Sequence, residues 1–388
     1  MPSELVIRGA VARGRPCAVR VSRGLITEIS PDLTPRAGER VIDLEGLALL
    51  PGLVNAHDHL NLDLLPPLGN PPYANSYEWD DDLRRNYPAV AVQHQPVPEV
   101  DRFRWGAYRN LFSGVTTVAH HGPFPIQFLA EGTLPIRLRL PMAWAESLRR
   151  GPDVASRARH ARGRMPFAIH LAEGVDDVAA REIDSLDGEG ALGAGTMVVH
   201  GVGLDARGRR LLAERGAALV WCPRSNHFLF GATAAVAELP PEVPVALATD
   251  STMTGSVTLF DELRFAAGLG QVPAERLLAM VTSEAATAVM APELGRLTVG
   301  APADLIALPP AGSDAETLLA ARPGALALVV VGGRVRLAAP RHAWAGDLES
   351  TILDGARIHV QRGLGALVDR LRRALPEGFP SPALAQIS

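Results

Sequence analysis

Apolar runs in this chain are short, and what ends them differs between its two ends and its middle. Over residues 4–50, ELVIRGA, AVRVS, LITEIS and VIDLEGLALL are separated by Gly, Pro and charged turns, the pattern of antiparallel strands. It returns in GRLTVGAPADLIALP (295–309) and LALVVVGGRVRLA (326–338), so the two ends are expected to form one small β domain. Between them GLVNAH (52–57), VTTVAH (115–120), IRLRLPM (136–142), FAIHLAE (167–173), MVVHGV (197–202), ALVWCP (218–223) and VALATD (245–250) read as buried strands. Helical stretches intervene: DRFRWGAYRNLFS, DDVAAREIDSL, ARGRRLLAERG and LFDELRFAAGLG. Alternating β and α units imply a parallel sheet covered on both faces, and seven or eight of them predict a (β/α)8 barrel over residues 53–294. Seven strands are legible. The eighth belongs in the crowded interval 122–165.

Residues 61–101 form a long Pro- and Asn-rich connection carrying Tyr73, Tyr77, Trp79 and Asp80 to Asp82. So long a loop in a compact barrel is expected to be functional, and its aromatics suggest a lid. Residues 346–388 read as a C-terminal helical extension that packs on the barrel or on a second subunit, so a homodimer is compatible with it.

Composition narrows the function. The 388 residues are 47% hydrophobic, ample for a large core, and the net charge of −4 argues against nucleic acid or an anionic membrane as partner. Cys17 and Cys222 alone give no disulfide framework, no apolar run is long enough to span a bilayer, and no signal-peptide core opens the chain, so a cytoplasmic protein is expected. All 38 basic residues are arginine. Without lysine, a Schiff base, a Walker-type phosphate loop and a carbamylated-lysine metal bridge are excluded.

The chemistry lies where the middle strands end. His57 and His59 stand one residue apart at the close of the first strand and by alternation point the same way, with Asn55 on the same face and Asp58 on the other. His170, His200 and Asp250 each close a later apolar run, where barrel enzymes build their sites. Imidazoles with a carboxylate are the ligands of a hydrolytic zinc or iron centre. Glu173, three residues after His170, is placed to take a proton from water and return it to a leaving group.

PGLVNAHDHL, GVTTVAHH, HLAE, VVHG, CPRSN, the ATDS run and the closing GRLTVGAPADLIAL together resemble the amidohydrolase superfamily, in particular its ATZ/TRZ branch of chlorohydrolases and cytosine, guanine and adenosyl-type deaminases. The resemblance covers roughly residues 4–338. It implies a distorted (β/α)8 barrel with a small β-sandwich made from residues 1–52 and 295–345. It also implies one divalent metal, Zn2+ by default with Fe2+ suited as well, bound by His57, His59, His170 and Asp250. Glu173 would be the proton shuttle, and His200 would sit beside the metal-bound water or substrate. Many deaminases of the branch read HAAET followed by a downstream glutamate. Here the run is HLAEGVDD, with Gly174 in place of the threonine and Asp177 at the later acidic position, which puts the ribose or side-chain contacts of nucleoside-type members in question.

The expected activity is that of a metal-dependent hydrolase of a non-peptide C–N bond, an aminohydrolase of a planar nitrogen heterocycle, with Glu173, His200 and Asp250 catalytic. The alternatives are a cyclic amidase or chlorohydrolase of the same family, or a catalytically silent binding protein on this scaffold. His120, His121, Trp79 and Asn226 are candidate substrate contacts, and Asp63 with the loop after it is where substrate choice is expected to be decided.

Overall fold

A computed structural model describes residues 4–88, 96–130, 132–151, 153–343, 348–382 and 384–385. The chain is α/β, with one large sheet assembled from both chain ends and two parallel sheets from its middle.

The first five strands are β1 (Leu5–Ala12), β2 (Arg15–Ser22), β3 (Leu25–Ser30), β4 (Arg40–Asp43) and β5 (Ala48–Pro51). The parallel series follows: β6 (Leu53–Asp58), β7 (Val115–His120), β8 (Arg137–Leu138), β9 (Ala143–Ala145), β10 (Phe167–Leu171), β11 (Thr196–His200), β12 (Ala218–Trp221) and β13 (Val245–Leu247). The chain then returns to the first sheet as β14 (Leu305–Leu308), β15 (Leu328–Val331) and β16 (Arg334–Ala338), with β14 antiparallel to β5. β17 (Leu348–Leu353), β18 (Ala356–Gln361) and β19 (Leu384–Ala385) extend that sheet.

In the parallel series, strands run in the order β6-β7-β8 and β9-β10-β11-β12-β13. The missing eighth strand is β9, three residues long and paired to β10, so the run 136–142 contributes only its first part as β8. The last strand returns to the first: Asp250 N–H donates to the His57 carbonyl (3.2 Å), and Thr249 N–H to Asn55 Oδ1 (3.2 Å). Residues of β6, β7, β10, β11 and β12 are buried throughout, which is why these strands read as continuous apolar runs.

Two expectations are corrected. The described part of 346–388 is not one helical run. Among the described residues it begins with the β17–β18 hairpin, and of these residues only Leu364–Ala374 is helical. The cause is local: LESTIL and ARIHVQ flank Asp354-Gly355, whose positive φ angles (48° and 77°) suit a two-residue hairpin turn. The connection 61–101 is not all loop, since Ser76–Asn86 is a helix capped by Asn75, whose side chain accepts from Tyr77 N–H and Glu78 N–H.

Candidate metal centre and active site

The ends of β6, β10 and β13 bring four expected ligands together. His57 Nε2 lies 3.2 Å from His170 Nε2 and 3.7 Å from Asp250 Oδ1. His59 Nε2 lies 3.4 Å from His170 Nε2 and 3.6 Å from Asp250 Oδ1. A tetrahedron of ligands at the zinc–nitrogen distance has edges of roughly 3.3–3.4 Å, so these four separations are those of donors that can share one divalent ion, and His57, His59 and Asp250 form one metal-ligand group. Burial holds His57 and His170 below the ordinary imidazole pKa, leaving them neutral, the state that ligates. Burial alone would raise the Asp250 carboxyl, but its hydrogen bond to His57 and the surrounding imidazoles hold it well below the usual range. Asp250 Oδ2 also accepts from Ser225 Oγ (2.8 Å) and Thr254 Oγ1 (3.1 Å), and Oδ1 from Ser251 N–H (2.7 Å). Outer partners orient the imidazoles: His170 Nδ1 donates to the Glu146 carbonyl (2.7 Å), leaving Nε2 bare toward the site.

Glu173 and His200 face each other beside this cluster, Glu173 Oε1 3.4 Å from His200 Nε2. Burial pushes the Glu173 carboxyl up to about 8. His200 Nδ1 donates to Asn226 Oδ1 (2.8 Å), which leaves Nε2 as a lone pair toward Glu173. His200 and Asp250 have φ of 75° and 56°, and Ala172 in the HLAE run has 51°. Left-handed backbone at three non-glycine residues, two of them site residues, is strain of the kind concentrated at functional sites.

The cleft over the cluster is lined by His59, Trp79, Glu173, His200 and Asp250, with the lid helix forming one wall. Trp79 is among the residues that line it. The other three candidate contacts do not line it. His120 is buried against Phe103, bonded to the Pro123 carbonyl (3.1 Å) and the Leu60 N–H (3.3 Å). His121 binds the Ala145 carbonyl through Nε2 (3.1 Å) and stacks on His170, within metal-ligand spacing of His57 and His170 rather than in the cleft. Asn226 is buried behind His200. His94 lies outside the described residues.

Two further expectations fail. Asn55 does not share the ligand face: its amide donates to Asp58 Oδ2 (3.1 Å), because the β6–β7 register shifts between Asn55 and Asp58 and breaks strict alternation. Asp63 does not reach the cleft. It is buried and paired to Arg109 Nε (2.9 Å), and the same guanidinium bonds Asp58. Sequence reading missed Arg109, on the helix Glu99–Leu111, because a helical arginine is ordinarily solvated. It also missed Ser76 and Arg150 in the cleft wall.

Two outcomes follow from these contacts. Replacing Asn226 by Leu frees the His200 tautomer and should lower kcat about 10–100-fold with metal content unchanged, measured by steady-state kinetics beside elemental analysis. The second concerns pH. The folded Glu173 carboxyl holds its proton far above the ordinary 4.5, so its stabilising contribution is complete below that value and is lost as pH rises through about 8. In chelator-treated protein, Glu173→Gln should therefore gain stability over wild type between pH 5 and 9, read from thermal melts across that range.

The sequence model of the amidohydrolase family matches residues 151–336. Among curated proteins, the 5-methylthioadenosine/S-adenosylhomocysteine deaminase of Natronomonas pharaonis is 28% identical over 323 residues, covering 69% of this chain and 74% of that one. Among solved structures, a zinc-bound adenosine deaminase from Xanthomonas campestris superposes with a TM-score of 0.71 at 21% identity, over 97% of this chain and 98% of that one. A zinc-complexed atrazine chlorohydrolase from Arthrobacter aurescens gives 0.76 at 18%, over 96% and 100%. These two likenesses are of fold.

Proposed function

Through residues 151–336 the chain belongs to the amidohydrolase family, and on that premise we propose that it is a metal-dependent aminohydrolase of a planar nitrogen heterocycle. The observation that carries the reading is that His57 Nε2 and His59 Nε2 each lie 3.2–3.7 Å from both His170 Nε2 and Asp250 Oδ1, with a buried carboxyl and a neutral imidazole facing each other at their side. Those four residues would hold the ion, zinc or iron. When bound, such an ion acidifies water and polarises the substrate.

The rest is the work of this chain's own groups. His200 Nε2 orients the attacking water by accepting one hydrogen, and Glu173 takes its proton as the oxygen bonds to the ring carbon. Glu173 then delivers that proton to the amino nitrogen, the C–N bond breaks, and ammonia leaves from a ring that keeps the oxygen. The raised carboxyl pKa matches this two-way traffic near neutral pH. Trp79 and Tyr77 would stack on the ring.

We further read residues 53–294 as the catalytic (β/α)8 barrel and residues 1–52 with 295–345 as a β-sandwich. The eight parallel strands and the bonds from the β13 end back to β6 support the first. The sheet shared by β1–β5 and β14–β16 supports the second.

An ammonia-release screen with metal-loaded protein over adenine nucleosides including 5-methylthioadenosine, nucleobases, pterins and aminotriazines tests the activity. Ammonia from at least one class, abolished by chelation, is expected. Release of chloride or of a ring-opened acid with no ammonia would contradict it.

A further inference from the structure

The departure at Gly174 has a structural counterpart. The segment ahead of the lid helix lies against the loop that follows Glu173 as a short antiparallel pair. Ser76 N–H donates to the Glu173 carbonyl (2.9 Å), Val175 N–H to the Ala74 carbonyl (2.8 Å), and Asn75 bridges Gly174 between them. A Cβ on Gly174 would stand 2.5 Å from the Ala74 carbonyl oxygen and 2.7 Å from Asn75 Cα, so a side chain here and the lid backbone exclude each other. The Gly174 φ is not in the left-handed region, so a Cβ meets the lid and no backbone penalty.

Side chains extend the attachment. Asn75 caps the lid helix with Oδ1 while Nδ2 donates to Asp176 Oδ2 (2.7 Å), and Asp176 Oδ1 caps the helix Asp177–Gly188 by accepting from Ala179 N–H (3.0 Å). One residue thus ties together the starts of both helices. Tyr77 bonds the buried Glu182 carboxyl, whose other oxygen accepts from Ala172 N–H (2.7 Å), the residue just before Glu173. Glu173 is therefore held from both sides by groups that meet the lid.

The geometry points to residues 74–77 as a positioning strap: the closed lid fixes Glu173 in its working position by occupying the space of a side chain at 174, so proton transfer is competent only with the lid seated. This rests on Glu173 being the proton shuttle. It also accounts for the glycine, since a threonine here would displace the lid backbone. Substrates then reach the site by parting the strap and react once it re-forms, which couples binding to the alignment of the base.

The test compares Gly174→Ala and Asn75→Ala with wild type in metal-loaded full-length protein. Both variants should keep stoichiometric metal and speed cleavage within residues 62–88 under limited proteolysis. Because misplacing a reacting group by about 1 Å costs up to about 100-fold, kcat should fall roughly 10–100-fold, with a smaller change in KM. Should Gly174→Ala lose its metal or fail to fold, Asn75→Ala alone decides. Unchanged kcat, or a rise in KM alone, would overturn the strap, because the lid would then only touch substrate. An active Glu173→Gln enzyme would instead overturn the shuttle reading, and the two failures are distinguishable.

Discussion

Glu173→Gln should retain one metal per chain and lose turnover by about 10²–10⁴-fold, the range for removing a positioned general acid–base. The amide matches the carboxyl in size and cannot accept a proton. Glu173 is not among the four clustered donors, so metal content should be unaffected. It is buried and its Oε1 lies 3.4 Å from His200 Nε2, the imidazole proposed to orient the water. Ammonia release and metal analysis on the same preparation separate the two effects. A variant within a few-fold of wild type would remove Glu173 from the mechanism. Loss of metal would make it a ligand.

Arg109→Met should destabilise the protein by about 3–5 kcal/mol, the cost of removing one partner from a buried ion pair. Arg109 is 1% exposed and bonds both Asp58 and Asp63, and it donates to the Ser256 and Val257 carbonyls (3.0 Å each). It therefore joins the turn carrying His57 and His59 to the loop that follows Asp250. Without it two carboxyls stay buried, and burial already pushes both upward, Asp63 well above its usual range, against the lowering pull of Arg109. Denaturant unfolding measures the loss. Pairing Arg109→Met with Asp63→Asn should recover part of it, because one buried carboxyl, and the cost of ionising it there, is gone. A loss below about 1 kcal/mol, the scale of exposed pairs, would show that the guanidinium does not hold the site.

The candidate site was legible because of where its residues stand. His170, His200 and Asp250 each close an apolar run, and a parallel strand buried on both faces leaves few other reasons for a polar residue there. Groups that act through others left no such mark. Asn226 was visible as a polar residue after β12, but its bond to His200 depends on the turn into the helix Pro223–Phe230. The Asn55 prediction followed strict alternation, which the β6–β7 register shift breaks. The β17–β18 hairpin was written in its Asp-Gly turn and alternating flanks, yet its apolar spacing also fits a helix. β9 could not be read because three residues are too few for any period to show.

Zinc titration of chelator-treated protein, following ammonia release from 5-methylthioadenosine or the best substrate of the screen, tests the central claim most directly. Activity should rise from zero and saturate at one zinc per chain, as the proposed single ion held by His57, His59, His170 and Asp250 requires. Ammonia release that persists without metal, or none at any zinc occupancy, would contradict it.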